Sequence, residues 1–234
     1  GADVVFNAVA WTAVDDAEDH AEEACLLNRT LPDALARVLK SLGNGHLVHF
    51  STDFVFSGTG ETPWKEEDPP HPSSVYGCTK LEGEQAVLRV LPERACVLRT
   101  AWLFGPGRKN FVDTILAACR RRDAITVVHD QTGSPTYSLD LAQWSLALAQ
   151  KQATGLWHAA NSGQASWCDL ACEAVALAAA PWLCPSIRRS IRKKPADRNF
   201  PCWTRANSPP FWAKNPAPGP RPCGTIFFAN ICPL

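Results

Sequence analysis

Residues 46–53 read His46-Leu47-Val48-His49-Phe50-Ser51-Thr52-Asp53. The run from His46 to Ser51 has the length and apolar content of a buried strand, and it ends in two hydroxyls and a carboxylate. Upstream, Leu27, Leu31, Leu35, Val38, Leu39 and Leu42 recur at helical spacing, and Gly43 is a stop signal. Before them, Asp3-Val4-Val5-Phe6-Asn7-Ala8 is a short β-branched run. Downstream come a Pro-rich loop from Gly58 to Ser74, a helix from Tyr76 to Arg89 and a strand at Ala95-Cys96-Val97-Leu98-Arg99. A helix over Asn110 to Arg122 follows, its Arg120-Arg121-Arg122 end matching the negative pole of the helix dipole. Ile125-Thr126-Val127-Val128 reads as a strand, with helices near Ser138–Gln150 and Ser166–Ala180. Strand–helix alternation with nearly continuous apolar strands predicts an α/β fold whose parallel sheet is covered on both faces. Ligands of such sheets bind at the carboxyl ends of the strands.

The chain has 234 residues, 46% of them hydrophobic and 20% charged, which describes a globular protein and not a disordered one. No run of about 18 apolar residues suggests a membrane span. The N-terminus lacks the basic start and apolar stretch of a signal peptide. Ten cysteines are scattered without a C-x-x-C pair, so a reduced, cytoplasmic compartment is expected. Methionine is absent, even from position 1, which leads us to expect that the chain begins inside a longer one. The zero net charge conceals a split. Residues 1–184 carry 14 basic and 22 acidic side chains; residues 185–234 carry 9 basic ones against Asp197 alone, with 10 of the 19 prolines.

Three strand ends carry polar or small residues. Asn7-Ala8-Val9-Ala10-Trp11-Thr12 fits either an ordinary strand-to-helix turn or a place where a ligand approaches the backbone. Ser51-Thr52-Asp53-Phe54-Val55-Phe56 fits either a cap of the following turn or a polar site. In Tyr76-Gly77-Cys78-Thr79-Lys80, residues i and i+4 share a helix face. Such a pair is either a surface pair or an acid with its tuning cation. A phenol of ordinary pKa about 10 is brought toward working pH by a neighbouring ammonium.

Taken together, the chain resembles the extended short-chain dehydrogenase/reductases, and more narrowly the dTDP-4-dehydrorhamnose reductase family. The stretches that carry the resemblance are Asn7 to Glu18, Ser51 to Gly58, Tyr76 to Glu84, Arg99-Thr100-Ala101-Trp102-Leu103-Phe104-Gly105, Asn110-Phe111-Val112 and Asp130-Gln131-Thr132-Gly133-Ser134-Pro135-Thr136. They stand in the family's order and spacing as far as about residue 185. The resemblance implies NADPH- or NADH-dependent reduction of the 4-keto group of a dTDP-6-deoxy-hexulose to give dTDP-L-rhamnose. By position, Tyr76 donates the proton, and Lys80 binds the nicotinamide ribose and lowers the Tyr76 pKa. Thr52 bonds the substrate oxygen and orients Tyr76. Ala10, Trp11, Thr12 and Phe50 line the cofactor, and Asp53 and Trp102 the sugar. Trp11 stands where the family has Tyr or His. Asn28 is either the helix asparagine of the wider superfamily or plain polar surface. The implied architecture is a partial Rossmann-like doubly wound parallel sheet over residues 1–105, a smaller substrate-binding lobe with a return to the sheet over 106–185, and an irregular tail over 186–234. Trp157 and Trp167 are expected to pack in the smaller lobe.

Two departures follow. The family opens with a strand, a Gly-rich turn and a helix that cradle a pyrophosphate, and this sequence has no such turn. About 50–60 residues of βα units are expected to be missing. The chain alone is therefore expected to bind cofactor poorly; micromolar binding in a nicotinamide-fluorescence titration would overturn that. The tail, with Arg188-Arg189-Ser190-Ile191-Arg192-Lys193-Lys194 and a Pro-, Trp- and Cys-rich continuation, reads either as a basic arm or as a shifted reading frame. In the shifted frame, Ser190-Ile191 permits Tyr-Pro, Lys194 through Arg198 permits Ala-Arg-Arg-Pro, and Asn199 through Thr204 permits Phe-Ser-Val-Leu-Asp, which resembles the family's C-terminal pattern. We expect a frameshift between about Cys184 and Arg189, which the nucleotide sequence decides.

Three other readings are open: a nucleotide-sugar epimerase or dehydratase, a non-catalytic regulatory subunit of the same superfamily, and an inactive truncated product, the last being what the chain as it stands is expected to be in activity, though not in ancestry. The Arg99-Thr100-Ala101-Trp102 and Asp130-to-Thr136 stretches favour the reductase over the first, and an intact Thr52, Tyr76 and Lys80 argue against the second. Expected partners are a nucleotide sugar and, for the full-length family, a homodimer, with neither nucleic acid nor membrane. His20, His71, His129 and His158 lack metal-ligand spacing, so no metal is expected. Cys168 and Cys172 read as buried small hydrophobes, and Glu66-Glu67-Asp68 as a solvated acidic loop.

Overall fold

The computed structural model describes residues 2–59, 62–122 and 124–178. The expected tail and its frameshift lie outside these residues. The strands are β1 (Val4–Asn7), β2 (His46–Thr52), β3 (Ala95–Thr100), β4 (Leu103–Phe104), β5 (Thr132–Gly133), β6 (Thr136–Tyr137), β7 (Gly155–His158) and β8 (Ala165–Ser166). The α-helices are α1 (Ala21–Cys25), α2 (Leu31–Leu42), α3 (Val75–Val90), α4 (Phe111–Cys119), α5 (Ser138–Gln150) and α6 (Trp167–Ala178), with a π-helical segment, Leu26–Thr30, joining α1 to α2.

β1, β2, β3 and β7 form one sheet in that order, all parallel. Period-2 alternation sends neighbouring side chains to opposite faces. Leu47 and Val97 pack on Ala36 and Leu39 of α2 and on Val87 and Val90 of α3. Val48, Cys96 and Leu98 pack on Leu141, Trp144 and Leu148 of α5. The sheet is thus covered on both faces, as the apolar strands predict. Fully burying a side chain such as Leu47 or Leu98 contributes roughly 1.5–3 kcal/mol, so these layers fix where the strand ends emerge.

Local chemistry sets the helix ends. Ser74 caps α3 by accepting from Gly77 N at 3.1 Å, and Asn110 caps α4 by accepting from Asp113 N at 3.2 Å. Gly43 ends α2 in the left-handed region, φ 72°.

The predicted apolar stripe before Gly43 is only partly buried. Pro32, Ala36 and Leu39 face the core, while Val38 and Leu42 are more than half exposed. A π segment inserts one residue, so the helical phase read through Leu27 does not carry past Thr30. Ile125–Val128 is not a strand: no described strand pairs with it, and its Val128 carbonyl accepts from Cys168 N at 2.9 Å. The fourth strand of the sheet is instead β7, a four-residue run opening on the left-handed Gly155, φ 87°. Trp157 therefore belongs to the sheet, against the α5 face, and not to a separate lobe. Cys168 is half-buried and Cys172 exposed, which corrects the buried reading: both lie off the Leu170, Ala171 and Ala174 face of α6.

Candidate active site

The sheet's carboxyl ends open into a cleft of about 700 Å³. β2 delivers Thr52 and Asp53 to it as the chain turns into a short 3-10 segment, Asp53–Val55. Thr52 Oγ1 accepts from Phe54 N at 3.2 Å and donates to Asp53 Oδ1 at 3.0 Å. The hydroxyl is thus a cap and a cleft group at once.

α3 delivers Tyr76 and Lys80 from one face, both buried. The helix can sit tight on the 3-10 segment because residue 77 is glycine: a Cβ there would collide with the Phe54 carbonyl. That close approach sets the Tyr76 phenol beside the Thr52 hydroxyl, and the Phe54 ring meets the Tyr76 ring edge-on at 5.5 Å. Burial pushes the phenol above its ordinary pKa, the neighbouring Thr52 hydroxyl lowers it, and the Asp53 charge raises it further. Lys80 Nζ donates to the Phe50 carbonyl at 2.6 Å, and Thr52 supplies the lowering effect on the phenol. Burial brings Lys80 itself down to about 8, against the opposing pull of Glu84. Burial raises Asp53 to about 6, with the bond from Thr52 and its backbone partners working the other way.

Ala10, Thr12, Phe50, Thr52, Asp53, Tyr76, Lys80 and Trp102 all line the cleft. Trp11 does not. Its ring packs on His20 at 5.6 Å and against the Ala17–Ala24 cluster, because Asn28 holds its backbone on both sides. Asn28 Oδ1 accepts from Trp11 N at 2.9 Å, and Asn28 Nδ2 donates to Trp11 O at 3.2 Å and to Thr79 Oγ1 at 3.1 Å. Asn28 is fully buried, so it is not polar surface.

Trp102 adopts a left-handed φ of 48°, a conformation that costs a non-glycine residue of order 1–3 kcal/mol. It stacks on Trp167 at 3.6 Å, and Gly133 lies so close to its indole that no side chain fits there. Trp167 in turn meets Phe111 at 4.6 Å. Stretches far apart in the chain, around 102, 111, 133 and 167, thus build one aromatic wall.

Ser51, quoted at its strand end without a role, lines the cleft as well, and so do Thr100, Ser138 and Ser145, to which sequence reasoning gave no place in the site. Ser51 and Thr100 were available to the strand-end rule; Ser138 and Ser145 arrive on α5, whose placement across the sheet no local pattern announces. No group of three or more His, Cys, Asp or Glu among the described residues is placed to hold a metal ion.

The family model described as "RmlD substrate binding domain" matches residues 1–201. A probable dTDP-4,6-dihydroxy-2-methyloxan-3-one 4-ketoreductase of Streptomyces antibioticus is 48% identical over 171 residues, 73% of this chain and 58% of that protein. The dTDP-4-dehydrorhamnose reductase of Streptomyces griseus is 43% identical over 175 residues, 73% of this chain and 57% of that protein. The crystal structure of the Bacillus anthracis dTDP-4-dehydrorhamnose reductase in complex with NADP superposes with a TM-score of 0.72 at 34% identity, over 75% of this chain and 62% of that one. The chain thus spans somewhat over half the length of the relatives it matches. With a Rossmann-like sheet and these matching stretches, the chain belongs to the RmlD substrate binding domain family.

Proposed function

We propose that this site serves NADPH- or NADH-dependent reduction of the 4-keto group of a dTDP-6-deoxy-hexulose, giving dTDP-L-rhamnose. The observation that carries the reading is the convergence of the Tyr76 phenol and the Thr52 hydroxyl in one cleft, with Lys80 one helical turn further along α3. Tyr76 holds its proton at neutral pH, because burial keeps it above the ordinary tyrosine value. It is therefore poised as a donor to an oxygen that becomes basic as a carbonyl is reduced. Thr52 orients the phenol and, by turning its hydroxyl hydrogen away from Asp53, donates to the same substrate oxygen. Asp53 and the Trp102 wall take the sugar.

The residues fit the ribose and nicotinamide half of the cofactor. Lys80 Nζ and the Phe50 carbonyl present a donor and an acceptor for ribose hydroxyls, and Phe6, Ala8, Val9 and Ala10 leave an open, largely apolar wall for a flat ring. When bound, the nicotinamide supplies the hydride; this chain's residues bind, orient and hold the proton. Residues 106–185 are read as the part that takes the sugar. The same reading places the enzyme in the cytoplasm and makes a homodimer the assembly to look for by sedimentation. No helix among the described residues is long and apolar enough to cross a membrane.

The test is reduction of dTDP-4-dehydrorhamnose, followed by loss of nicotinamide absorbance. Tyr76→Phe is expected to lower kcat by about 10²–10⁴-fold with little change in KM. A Tyr76→Phe protein as fast as an active parent would overturn the reading.

A further inference from the structure

Tyr76, Lys80 and Glu84 lie at i, i+4 and i+8 on α3, all buried. The first two line the cleft; the third, also buried, does not. Glu84 is held by Arg99 on β3, a central strand of the sheet, in a fork: Arg99 Nε donates to Oε1 at 2.9 Å and Nη2 to Oε2 at 2.8 Å. Both side chains are at most 3% exposed. The Cζ of the same guanidinium lies over the Phe56 ring, 4.9 Å from its centroid. Phe56 directly follows the 3-10 segment that carries Asp53 and Phe54 beside Thr52. Its ring stacks on Trp64 at 4.7 Å and meets His158 edge-on at 5.7 Å.

One side chain therefore touches both arms of the site, the helix arm through Glu84 and the strand-end arm through Phe56. Only a guanidinium offers a planar fork for a carboxylate and a flat face for an aromatic ring at once. Stability alone does not account for the arrangement. A buried ion pair gains little over apolar residues of similar size, and Arg99 Nη1 is buried without a hydrogen-bond partner among the described residues.

We propose that Arg99, braced by Glu84 and Phe56, is a positioning residue that sets the separation between Tyr76 and Thr52. It rests on the reading of Tyr76 as the proton donor, and it acts through α3 and the 3-10 segment without touching substrate.

The chain contains two tyrosines, Tyr76 and Tyr137. In a Tyr137→Phe background the ultraviolet phenolate titration reports Tyr76 alone. The groups facing that phenol are Thr52 and Asp53 from the strand end, with Lys80 next along its own helix. The parent is expected to titrate above the ordinary value of about 10. Glu84→Met/Arg99→Met, an apolar exchange, is expected to melt near the parent temperature yet titrate closer to 10, because the two arms part and admit water, and relief of burial, the largest influence on the phenol, outweighs the loss of Thr52's lowering effect. Phe56→Leu, which keeps the ion pair, is expected to shift in the same direction. A folded double variant that titrates like the parent overturns the proposal. If the double variant does not fold, Phe56→Leu decides: a shift supports the proposal and an unchanged titration overturns it. These titrations need no turnover, so they stand apart from the reductase assay. A Tyr76→Phe protein that still reduces the hexulose would remove the reading and leave the geometric result in place.

Discussion

The Lys80 ammonium donates to the carbonyl oxygen of Phe50 at 2.6 Å, two residues before Thr52 on the same strand. The lysine is thereby pinned to the sheet backbone, and the hydroxyl of Thr52 is the group that eases the phenol's ionisation. In the Tyr137→Phe background, Thr52→Val is expected to raise the Tyr76 titration and Lys80→Met to leave it near the parent value. A marked rise with Lys80→Met would restore the lysine to the role the i, i+4 spacing suggests. Lys80 also links to stability. Its folded pKa of about 8 lies below the ordinary 10.5, so between those values the unfolded chain binds the extra proton. Stability should rise with pH across that window, and Lys80→Met should abolish the rise in denaturant titrations.

Asp53 links in the opposite direction. Its carboxyl is raised to about 6 from an ordinary 3.8, so between those values the folded state holds a proton that the unfolded state has lost. Stability from this group is lost as pH climbs through the window. Asp53→Asn is expected to be more stable than the parent at pH 7, by on the order of 1 kcal/mol after screening of a half-buried group, and equal to it below pH 4. His158, lowered to about 4 by burial, works against Asp53 over nearly the same range: folding disfavours its charged form, so stability rises with pH there. His49 and His46, also lowered by burial, act in the same direction as His158, so the parent profile should rise through pH 5 and that of Asp53→Asn rise more steeply. Equal profiles would refute the linkage.

Two glycines on α3 set how closely it packs. A Cβ at Gly83 would collide with the Asn28 carbonyl, and one at Gly77 with that of Phe54. Backbone atoms cannot rotate away as a side chain can. Gly83→Ala is expected to cost about 1–3 kcal/mol, a drop of several degrees in Tm, as the π segment is pushed from α3. Gly77→Ala should cost a similar amount and also lift Tyr76 from Thr52, so the phenol titration separates the two variants. If both lower Tm and neither moves Tyr76, the tight contact at Gly77 does not govern the site.

Much of the site was legible because its residues announce themselves locally. Thr52 and Asp53 end a run that only a buried strand explains, and Tyr76 and Lys80 are spaced to share a helix face. Gly77 and Gly83 went unremarked, since a glycine within a helix signals close approach only when the neighbouring backbone is known. Trp11 failed for a related reason: its position beside the cleft was right, but Asn28, 17 residues on, turns the ring away. The strand assigned to Ile125–Val128 failed because β propensity has no effect without a partner ladder. β7 was missed because four residues opening on glycine carry almost no local signal. The fork of Arg99 on Glu84 spans 15 residues and two elements, and nothing in either stretch alone specifies it.

Glu66 tests the same limit at the rim of the sheet. The stretch Glu66-Glu67-Asp68 reads as solvated acid, yet Glu66 Oε1 accepts from the backbone N of His158 at 3.0 Å, closing the end of β7. Only Glu67 of the three is exposed; Asp68 Oδ2 accepts from Lys65 N at 2.7 Å and tightens the turn. If the bond to His158 is what matters, Glu66→Gln should be nearly neutral, since an amide oxygen accepts as well. Glu66→Ala should cost about 1–3 kcal/mol by leaving a buried N–H unpaired. If charge matters instead, Gln and Ala should cost alike, because both remove the anion that favours protonated His158. Chemical denaturation of the two variants at pH 7, where the imidazole is neutral and the charge account predicts a cost for neither variant, separates the two accounts. The expected order of stability is parent, then Gln, then Ala well below, with the loop from Trp64 to Asp68 acting as a strap on the edge strand.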